Sequence, residues 1–126
     1  MKAYSKGSRA ERELIKMFLE KGFYVVRAAG SGNEVTPDLL VFRKGKQYCF
    51  ECKAWDRTSL HVPREQVENL MRWEEVTGIT TMVAWRISRT GWRFIPVNVM
   101  IEKDKSYAVS LEKALNMFTF EDISKV

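Results

Sequence analysis

The chain has 126 residues, of which 45% are hydrophobic and 29% are charged, a composition typical of one domain with a single core. No apolar run approaches the roughly 18 residues that span a bilayer, and the first six residues lack the apolar stretch of a secretion signal. We therefore expect a single domain over residues 1–126, located in the cytoplasm, with no membrane partner. The net charge of +5 favours an anionic partner without identifying it.

The first predicted elements are a helix and a strand. Residues 8–21 place Leu14, Ile15 and Phe18 on one helical face, and Gly22 ends this amphipathic helix. Residues 23–28 (FYVVRA) are rich in aromatic and β-branched side chains, which predicts a strand. The loop that follows, residues 29–37, contains two glycines, and its length suggests a functional role.

Two strands, residues 38–42 and 47–55, are predicted to form a β-hairpin with a glycine in its turn. Pro63 opens a second helix and Gly78 closes it, and residues 79–87 and 92–97 are two further predicted strands. Ser110 is predicted to cap a short helix that extends to about residue 117. This order of elements predicts an α/β domain in which helices cover the faces of a central mixed β-sheet.

The predicted hairpin brings acidic residues together. A turn centred between Lys44 and Gly45 places Asp38 directly opposite Glu51. Lys53 lies two residues further along and shares that face. Two carboxylates this close repel each other unless a cation or a proton neutralises part of their charge. A divalent cation is the economical solution, and such oxygen ligands favour Mg²⁺, with Mn²⁺ as a substitute. The alternative is that Glu51 and Lys53 belong to an ordinary charged, solvated face.

Glu11 is the third acidic candidate. It lies at helical spacing with Leu14 and Phe18, on the face predicted to turn toward the sheet, where an unpaired carboxylate is costly. Two interpretations stay open: Glu11 takes part in the site, or it is a boundary residue paired with an arginine such as Arg27. The same periodicity places Glu13 outward, in solvent.

Cys49 and Cys52 have the C-x-x-C spacing that also occurs in redox and zinc sites. Here the spacing falls in a predicted strand, in which the two side chains point to opposite faces, and His61 is the one histidine available as a further ligand. We therefore expect two buried structural thiols. The pattern argues against a thiol-based enzyme.

Several segments together resemble one known family. Residues 6–14 (KGSRAEREL), 26–31 (VRAAGS), 37–38 (PD), 51–53 (ECK) and 91–95 (GWRFI) occur in the order and separation of archaeal Holliday junction resolvases of the Hjc type. That family belongs to the PD-(D/E)xK nuclease superfamily, and the resemblance covers most of the chain. It implies a restriction-endonuclease-like fold and a structure-selective, metal-dependent endonuclease that resolves four-way DNA junctions by paired symmetric nicks.

The resemblance also implies roles for individual residues. Glu11, Asp38 and Glu51 match the acidic metal-site positions of the family. Lys53 matches its catalytic lysine, and Ser31 matches a loop serine that is important in part of the family. These five residues form the predicted catalytic set.

Basic residues are predicted to line the DNA surface beside this set, where they would contact phosphates without reading bases. Two of them match family positions that are associated with DNA, namely Arg12 and Arg27. The full predicted set is Lys2, Lys6, Arg9, Arg12, Arg27, Arg57 and Arg64.

The symmetry of a four-way junction predicts a symmetric assembly of the protein. A four-way junction needs two matched cuts, and a homodimer supplies the two active sites. The candidate interface residues, each of which belongs to an ordinary core in the alternative interpretation, are Trp73, Trp85, Trp92 and Phe94. Residues 115–120 (LNMFTF) are a candidate segment for binding a replication clamp, with core or a frayed tail as the alternative.

Two other functions stay open. The first is another PD-(D/E)xK nuclease, a repair or restriction-like enzyme that acts on a duplex or a flap, because the metal chemistry is shared. The second is a non-catalytic DNA-binding module with the same fold. Such a module is expected to have lost an acidic residue or the lysine, and none of them is missing here.

Overall fold

The structure, a computed structural model, describes residues 2–28 and 36–125, with side chains described from Gly7 onward. Its helices are α1 (Lys2–Glu20), α2 (Arg64–Thr77), α3 (Leu111–Ala114) and α4 (Phe120–Ser124), and a 3-10 turn covers Val97–Val99. Its strands are β1 (Tyr24–Arg27), β2 (Leu39–Arg43), β3 (Lys46–Ala54), β4 (Ser59–Pro63), β5 (Thr80–Ile87), β6 (Gly91–Pro96), β7 (Ile101–Glu102), β8 (Ser106–Ser110) and β9 (Phe118–Thr119). Within these residues, no helix is both long and apolar enough to cross a membrane.

Strands from both halves of the chain form the central sheet. Over the described residues it has six strands in the order β1-β2-β3-β5-β6-β9. The pairing of β3 with β5 is parallel, and the other neighbours are antiparallel. Helix α1 packs on β3 and helix α2 packs on β5. The predicted fold class, a central mixed sheet flanked by helices, is therefore confirmed.

The β2–β3 hairpin has the predicted register. Leu39 pairs with Phe50 and Arg43 pairs with Lys46, which leaves a two-residue turn at residues 44–45. Gly45 adopts a φ of 81°, in the left-handed region that two-residue hairpin turns require and that glycine enters without steric cost. The turn therefore determines which side chains of β3 share a face with those of β2.

The two faces of the central sheet carry separate apolar clusters. On one face, Phe18 of α1 packs against Phe50 and Phe94, with the rings of Phe18 and Phe50 stacked at 5.5 Å between centroids. On the other face, Leu70 of α2 packs against Trp85. Helix α1 and helix α2 therefore lie on opposite sides of β3, and the alternating side chains of β3 contact one or the other.

The predicted aromatic interface residues are mostly core. Trp85, Trp92 and Phe94 are buried, with exposed fractions of 0%, 3% and 0%, so the prediction that they form a surface for a second subunit is wrong. Trp73 is partly buried, and its indole nitrogen donates a hydrogen bond to Cys49 Sγ at 2.9 Å. The interpretation that placed them in an ordinary core holds for all three buried residues.

The second sheet was not predicted from the sequence. Strands β4, β8 and β7 form it, and the pairing of Ser59 with Ser110 joins positions that are far apart in the chain. The sequence SLHVP of β4 is short and interrupted by polar residues, so it gives little local signal. Helix α1 begins at Lys2, six residues before its predicted start, and the helix capped by Ser110 ends at Ala114 rather than near residue 117.

The C-terminal segment forms part of the fold. Phe118–Thr119 is strand β9, which pairs with β6. Thr119 then caps α4 in a capping box with Asp122, and Phe120 packs against the cluster under α1. Met117 and Phe120 are partly buried, whereas Leu115 and Phe118 are 42% and 46% exposed, so the segment is ordered in the fold but is not core. Binding of a replication clamp stays a prediction.

Candidate active site

Strand β3 continues past the end of its neighbour β2. Leu39, the first residue of β2, pairs with Phe50, so beyond Phe50 strand β3 pairs with β5 alone among the described strands. This leaves a notch beside the second half of β3, at the end of the sheet where β1 also stops. The predicted catalytic side chains that the structure describes meet at this notch.

Asp38 stands at the mouth of the notch, one residue before β2. Its Oδ2 accepts a hydrogen bond from the backbone N–H of Cys52 at 2.9 Å, and its own carbonyl accepts one from Ala28 N at 2.9 Å. The Asp38 carboxylate thus accepts the hydrogen bond that a backbone carbonyl of β2 would otherwise accept from β3. Because both its backbone and its side chain are held, Asp38 is fixed beside β3.

Glu51 is the most enclosed of the acidic residues, with 6% of its surface exposed. Burial, and then the charge of Asp38 nearby, raises the pKa of Glu51 to about 8, and Lys53 opposes this shift. Glu51 and Asp38 also share a hydrogen bond that favours the protonated carboxyl. In the absence of a cation, Glu51 therefore holds a proton at neutral pH.

Two groups hold one carboxylate oxygen of Glu51. Gln66 of α2 donates from Nε2 to Oε2 at 2.8 Å, and Lys53 Nζ lies 3.7 Å from the same oxygen. The Lys53 side chain is 27% exposed, so its ammonium reaches solvent while staying beside the carboxylate. A cation placed this way is available to a ligand entering the notch.

Glu11 reaches the same notch from α1. Its side chain is 14% exposed, and its Oε1 accepts a hydrogen bond from Arg27 Nε at 2.7 Å. One oxygen each of Glu11 and Asp38 and the Sγ of Cys52 all lie within 4.8 Å of one another. Glu11 therefore pairs with Arg27, as one interpretation expected, and it also lies beside Asp38, whereas its role in the site stays a prediction.

The cysteines lie on opposite faces of β3, as predicted. Cys49 is buried beside α2, whereas Cys52 is only partly buried and packs on the α1 side, next to Glu11 and Asp38. The prediction of two buried structural thiols therefore holds for Cys49 and needs correction for Cys52. Burial, followed by the charges of Asp38 and Glu11, raises the pKa of Cys52 well above its usual range, so this thiol stays protonated.

The donor set of the notch fits a hard divalent cation. Glu11 and Asp38 lie together with Cys52, and Glu51 adjoins them through its hydrogen bond with Asp38. Glu51 retains a proton because burial removes it from water and its neighbours are negative. Carboxylate oxygens are ligands for such ions, whereas a protonated thiol is not. A cation bound by Glu11, Asp38 and Glu51 would replace the proton on Glu51 and remove the repulsion.

Arg9 and Arg12 lie on α1, the helix that carries Glu11, and both are exposed. Arg9 lines a cleft of about 280 Å³ together with Ala54, which follows Lys53 in β3. Arg12 donates from Nη1 to Ser8 Oγ at 2.8 Å, which leaves most of its guanidinium donors to solvent.

Arg64 has a different environment from the one predicted. Its guanidinium pairs with Glu68 at 3.2 Å and with Glu102, bonds the backbone carbonyls of Lys103 and Asp104, and lies over the ring of Tyr107. These contacts tie the start of α2 to the β7–β8 turn. Its donors are used within the fold, so we leave Arg64 out of the proposed DNA surface.

Glu13 is exposed, as predicted, but it is not simply solvated. Its carboxylate accepts hydrogen bonds from Arg86 Nε at 3.2 Å and from Trp92 Nε1 at 3.3 Å. These contacts fasten the middle of α1 to strands β5 and β6. Glu13 thereby supports the helix that carries Glu11.

Three predicted residues cannot be placed. Ser31 lies outside the described residues, and the side chains of Lys2 and Lys6 lie outside the described part of α1. Arg57 is described: it follows β3 and stacks on Trp55, with its Cζ 5.3 Å from the ring centroid.

Gln66 was not predicted from the sequence to lie in the site. This residue lies in the first turn of α2, fifteen positions beyond Glu51, and nothing in the local pattern connects the two. Its Oε1 is buried and has no hydrogen-bond partner among the described groups, a feature that usually marks the place of a water or a ligand. One feature of the sequence points to Gln66. It lies near the start of the next helix after the strand that contains Glu51 and Lys53.

Comparison with known proteins agrees with this geometry. A family model described as archaeal Holliday junction resolvase (Hjc) matches residues 2–126. The crossover junction endodeoxyribonuclease Hjc of Archaeoglobus fulgidus is 32% identical over 107 residues, which cover 83% of this chain and 79% of that protein. The enzyme of the same name from Methanocaldococcus jannaschii is 40% identical over 75 residues, which cover 60% of this chain and 54% of that protein.

A solved structure supports the fold independently. The crystal structure of Archaeoglobus fulgidus Hjc, described as a Holliday junction resolvase from an archaeal hyperthermophile, superposes with a TM-score of 0.84. The superposition covers 94% of this chain and 95% of that one at 24% identity, so it establishes a shared restriction-endonuclease-like architecture. Together with the match of the family model along the chain, these relationships show that the protein belongs to the archaeal Holliday junction resolvase (Hjc) family.

Proposed function

We propose that the protein is a metal-dependent endonuclease that resolves four-way DNA junctions by paired symmetric nicks. Family membership supports the reaction class, and the convergence of Glu11, Asp38 and Glu51 beside Lys53 is the structural observation that carries the proposal. All four side chains of the Glu-Asp-Glu-Lys set are present, which argues against a non-catalytic DNA-binding module. A cytoplasmic location stays a prediction.

The residues that would hold the ion are Glu11, Asp38 and Glu51, and Mg²⁺, with Mn²⁺ as a substitute, suits their oxygen atoms. When bound, such an ion lowers the pKa of a coordinated water and offsets the charge of the scissile phosphate. Gln66 orients Glu51 through its 2.8 Å hydrogen bond, and the Cys52 N–H orients Asp38. These contacts preorganise the carboxylates before DNA arrives.

Lys53 is proposed to act directly on the reacting atoms. Its ammonium is held beside Glu51 Oε2 and reaches solvent, so it can donate a hydrogen bond to the attacking water or to a phosphate oxygen. The charge that develops on the phosphoryl oxygens is then stabilised by a cation already in place. Water adds to phosphorus, the bond to the 3′ oxygen breaks, and the products are a 5′-phosphate and a 3′-hydroxyl.

Exposed cations on α1 are proposed to hold the phosphate backbone. Arg9 and Arg12 face solvent on the helix that carries Glu11, and Arg27 at the end of β1 links Glu11 to the surface. Lys2 and Lys6 stay in the proposal from the sequence alone. Contacts of this kind position the DNA without reading bases, which suits an enzyme that selects branched shape.

Resolution of a junction by two matched cuts requires two active sites. A homodimer related by a two-fold axis provides them, and we propose this assembly. Light scattering with size-exclusion chromatography tests it directly through the mass of the free protein. A mass of one chain both in isolation and on a junction would contradict it.

A cleavage assay tests the activity. Synthetic four-way junctions with labelled arms are incubated with and without Mg²⁺, and nicks are mapped beside a flap and a linear duplex of the same sequence. Paired nicks at symmetric positions of the junction, dependent on the metal, are expected. Faster cutting of the flap or the duplex would favour the alternative, another nuclease of the PD-(D/E)xK superfamily.

A further inference from the structure

Trp55 is an exposed tryptophan beside the candidate site. It directly follows β3, and 41% of its surface is exposed, whereas Trp85 and Trp92 are at most 3% exposed. Tryptophan is a large apolar side chain that folding usually buries for the most part. An exposed indole one residue beyond β3, the strand that carries Glu51 and Lys53, is therefore unusual.

The position of Trp55 is fixed although its ring is exposed. The indole N–H of buried Trp85 donates a hydrogen bond to the backbone carbonyl of Trp55 at 2.9 Å. This bond holds the chain where it leaves β3. The exposed ring is thus presented from a rigid base rather than from a free loop.

Arg57 lies against the Trp55 ring and extends the flat surface that the indole presents. Its guanidinium carbon lies 5.3 Å from the centre of the Trp55 ring, a cation–π arrangement. A flat indole next to a planar, positively charged group has the chemistry that proteins use to stack against nucleobases while attracting phosphate. The pair is a candidate stacking surface, which we call the Trp55–Arg57 pair.

The pair lies close to the reacting groups. Trp55 is two residues beyond Lys53, a distance of about 7 Å along an extended chain. A nucleic acid whose phosphate entered the notch would bring a neighbouring nucleotide within reach of the indole.

We propose that the Trp55–Arg57 pair stacks against an open nucleobase face at the branch point of the junction and thereby favours junctions over duplex. This inference rests on the proposed function. Inside a duplex each base is covered by its neighbours on both sides, so the indole finds no free face. At a branch point the continuous stack is interrupted, and a base face becomes available to an aromatic side chain. Contacts to phosphates alone do not distinguish a branch point from a duplex.

Fluorescence and binding measurements test the proposal without metal, so that no cutting occurs. A 2-aminopurine is placed either at the branch point or within one arm of a four-way junction. Wild-type protein is expected to change the emission of the branch-point probe more than that of the arm probe. W55F retains a flat ring and is expected to keep this difference, whereas W55A loses it and its preference for junction over duplex falls about 10-fold.

The matched control is Y24A. Tyr24 is also an exposed aromatic residue, 80% exposed, at the end of β1 away from Arg27 and Asp38, and its removal is expected to leave both readouts unchanged. R57A tests the second member of the pair with a smaller loss of preference. Circular dichroism checks that each variant is folded.

Three results would overturn the proposal. One is a W55A protein that prefers junctions as strongly as wild type, and another is an equal probe response in the arm and at the branch point. The third is a change of W55A from dimer to monomer by light scattering, which would assign Trp55 to a contact between copies of the chain. Failure of wild-type protein to cut any junction with Mg²⁺ would instead refute the proposed function, because the binding readouts do not depend on cutting.

Discussion

Asp38 accepts a hydrogen bond through its side chain from the backbone N–H of Cys52, at a position where a strand neighbour would normally supply a carbonyl. This contact exists because β2 begins at Leu39 while β3 runs on to Ala54. The end of a strand pairing thus orients a carboxylate toward Glu11 and Glu51. We therefore expect the acceptor oxygen of residue 38 to contribute to the stability of the fold and its negative charge to contribute to cleavage.

Asp38→Asn separates these two roles. Asparagine keeps an oxygen that accepts from Cys52 N, so thermal stability is expected to stay close to that of wild type. The charge that would bind the cation is lost, and cleavage of a junction is expected to fall at least about 100-fold, because a preorganised charge in the site is removed. Single-turnover cleavage and a binding assay measure the two effects. Cleavage at the full rate, or loss of junction binding, would contradict the assignment.

The buried carboxyl of Glu51 predicts a pH dependence of stability without metal. Its pKa of about 8 in the folded protein lies above its ordinary value of 4.5, so its proton stabilises the fold fully below pH 4.5. That contribution is lost as the pH rises through about 8. Chemical denaturation in EDTA is expected to show a falling free energy of unfolding over this window, by an amount on the order of a few kcal/mol.

Glu51→Gln removes the ionisable group and is expected to flatten this fall. The variant Glu112→Gln, which changes an exposed carboxylate on α3, is the matched control and is expected to keep it. Saturating Mg²⁺ should raise the stability of wild type at pH 9 but not that of Glu51→Gln. Identical pH profiles for wild type and Glu51→Gln would count against the buried, protonated carboxyl.

Gln66→Leu tests the residue that supports Glu51. Leucine fills a similar volume but donates no hydrogen bond to Oε2, so Glu51 is expected to be less well oriented for the cation. Loss of such a supporting contact typically weakens metal affinity or activity by about 10- to 100-fold. Titration of cleavage rate with Mg²⁺ measures the shift, and Gln47→Leu on the exposed part of β3 is the control. Equal Mg²⁺ requirements for the two variants would show that Gln66 has no role in the site.

The salt dependence of junction binding distinguishes cations that contact phosphate from cations used within the fold. Arg12→Ala is expected to reduce the slope of log affinity against log salt concentration by about 1, since one phosphate contact is lost. Arg64→Ala is expected to leave the slope unchanged and to lower the melting temperature, because Arg64 holds Glu68, Glu102 and the β7–β8 turn. The reverse pattern would return Arg64 to the DNA surface.

Local patterns predicted the parts of the site that depend on one hairpin and one helix. Gly45 and the alternation of β2 and β3 fixed the register, so Asp38, Glu51 and Lys53 could be placed together from spacing alone. Helical periodicity predicted that Glu11 lies on the face of α1 that turns toward the sheet. These elements are determined by interactions between residues that are close in the chain.

The remaining parts depend on contacts that no local pattern contains. The pairing of β4 with β8 joins residues 59–63 to residues 106–110, and the approach of Gln66 to Glu51 depends on how α2 crosses the sheet. Arg64 was predicted to line the DNA surface because its acidic partner Glu102 lies thirty-eight positions away and is not evident from the local sequence. Tryptophans at 85 and 92 were interface candidates because composition does not distinguish a core from a surface.

The two-residue turn at Lys44 and Gly45 lies at the opposite end of the hairpin from the acidic notch. Side chains alternate along β3, so one inserted residue in this turn would shift the strand by a single position and carry Glu51 and Lys53 to the side that faces α1. Both strands could still pair, yet Glu51 would lose its hydrogen bond from Gln66 of α2 and its position beside the Asp38 carboxylate. The length of this turn is therefore constrained by distant chemistry as well as by local geometry.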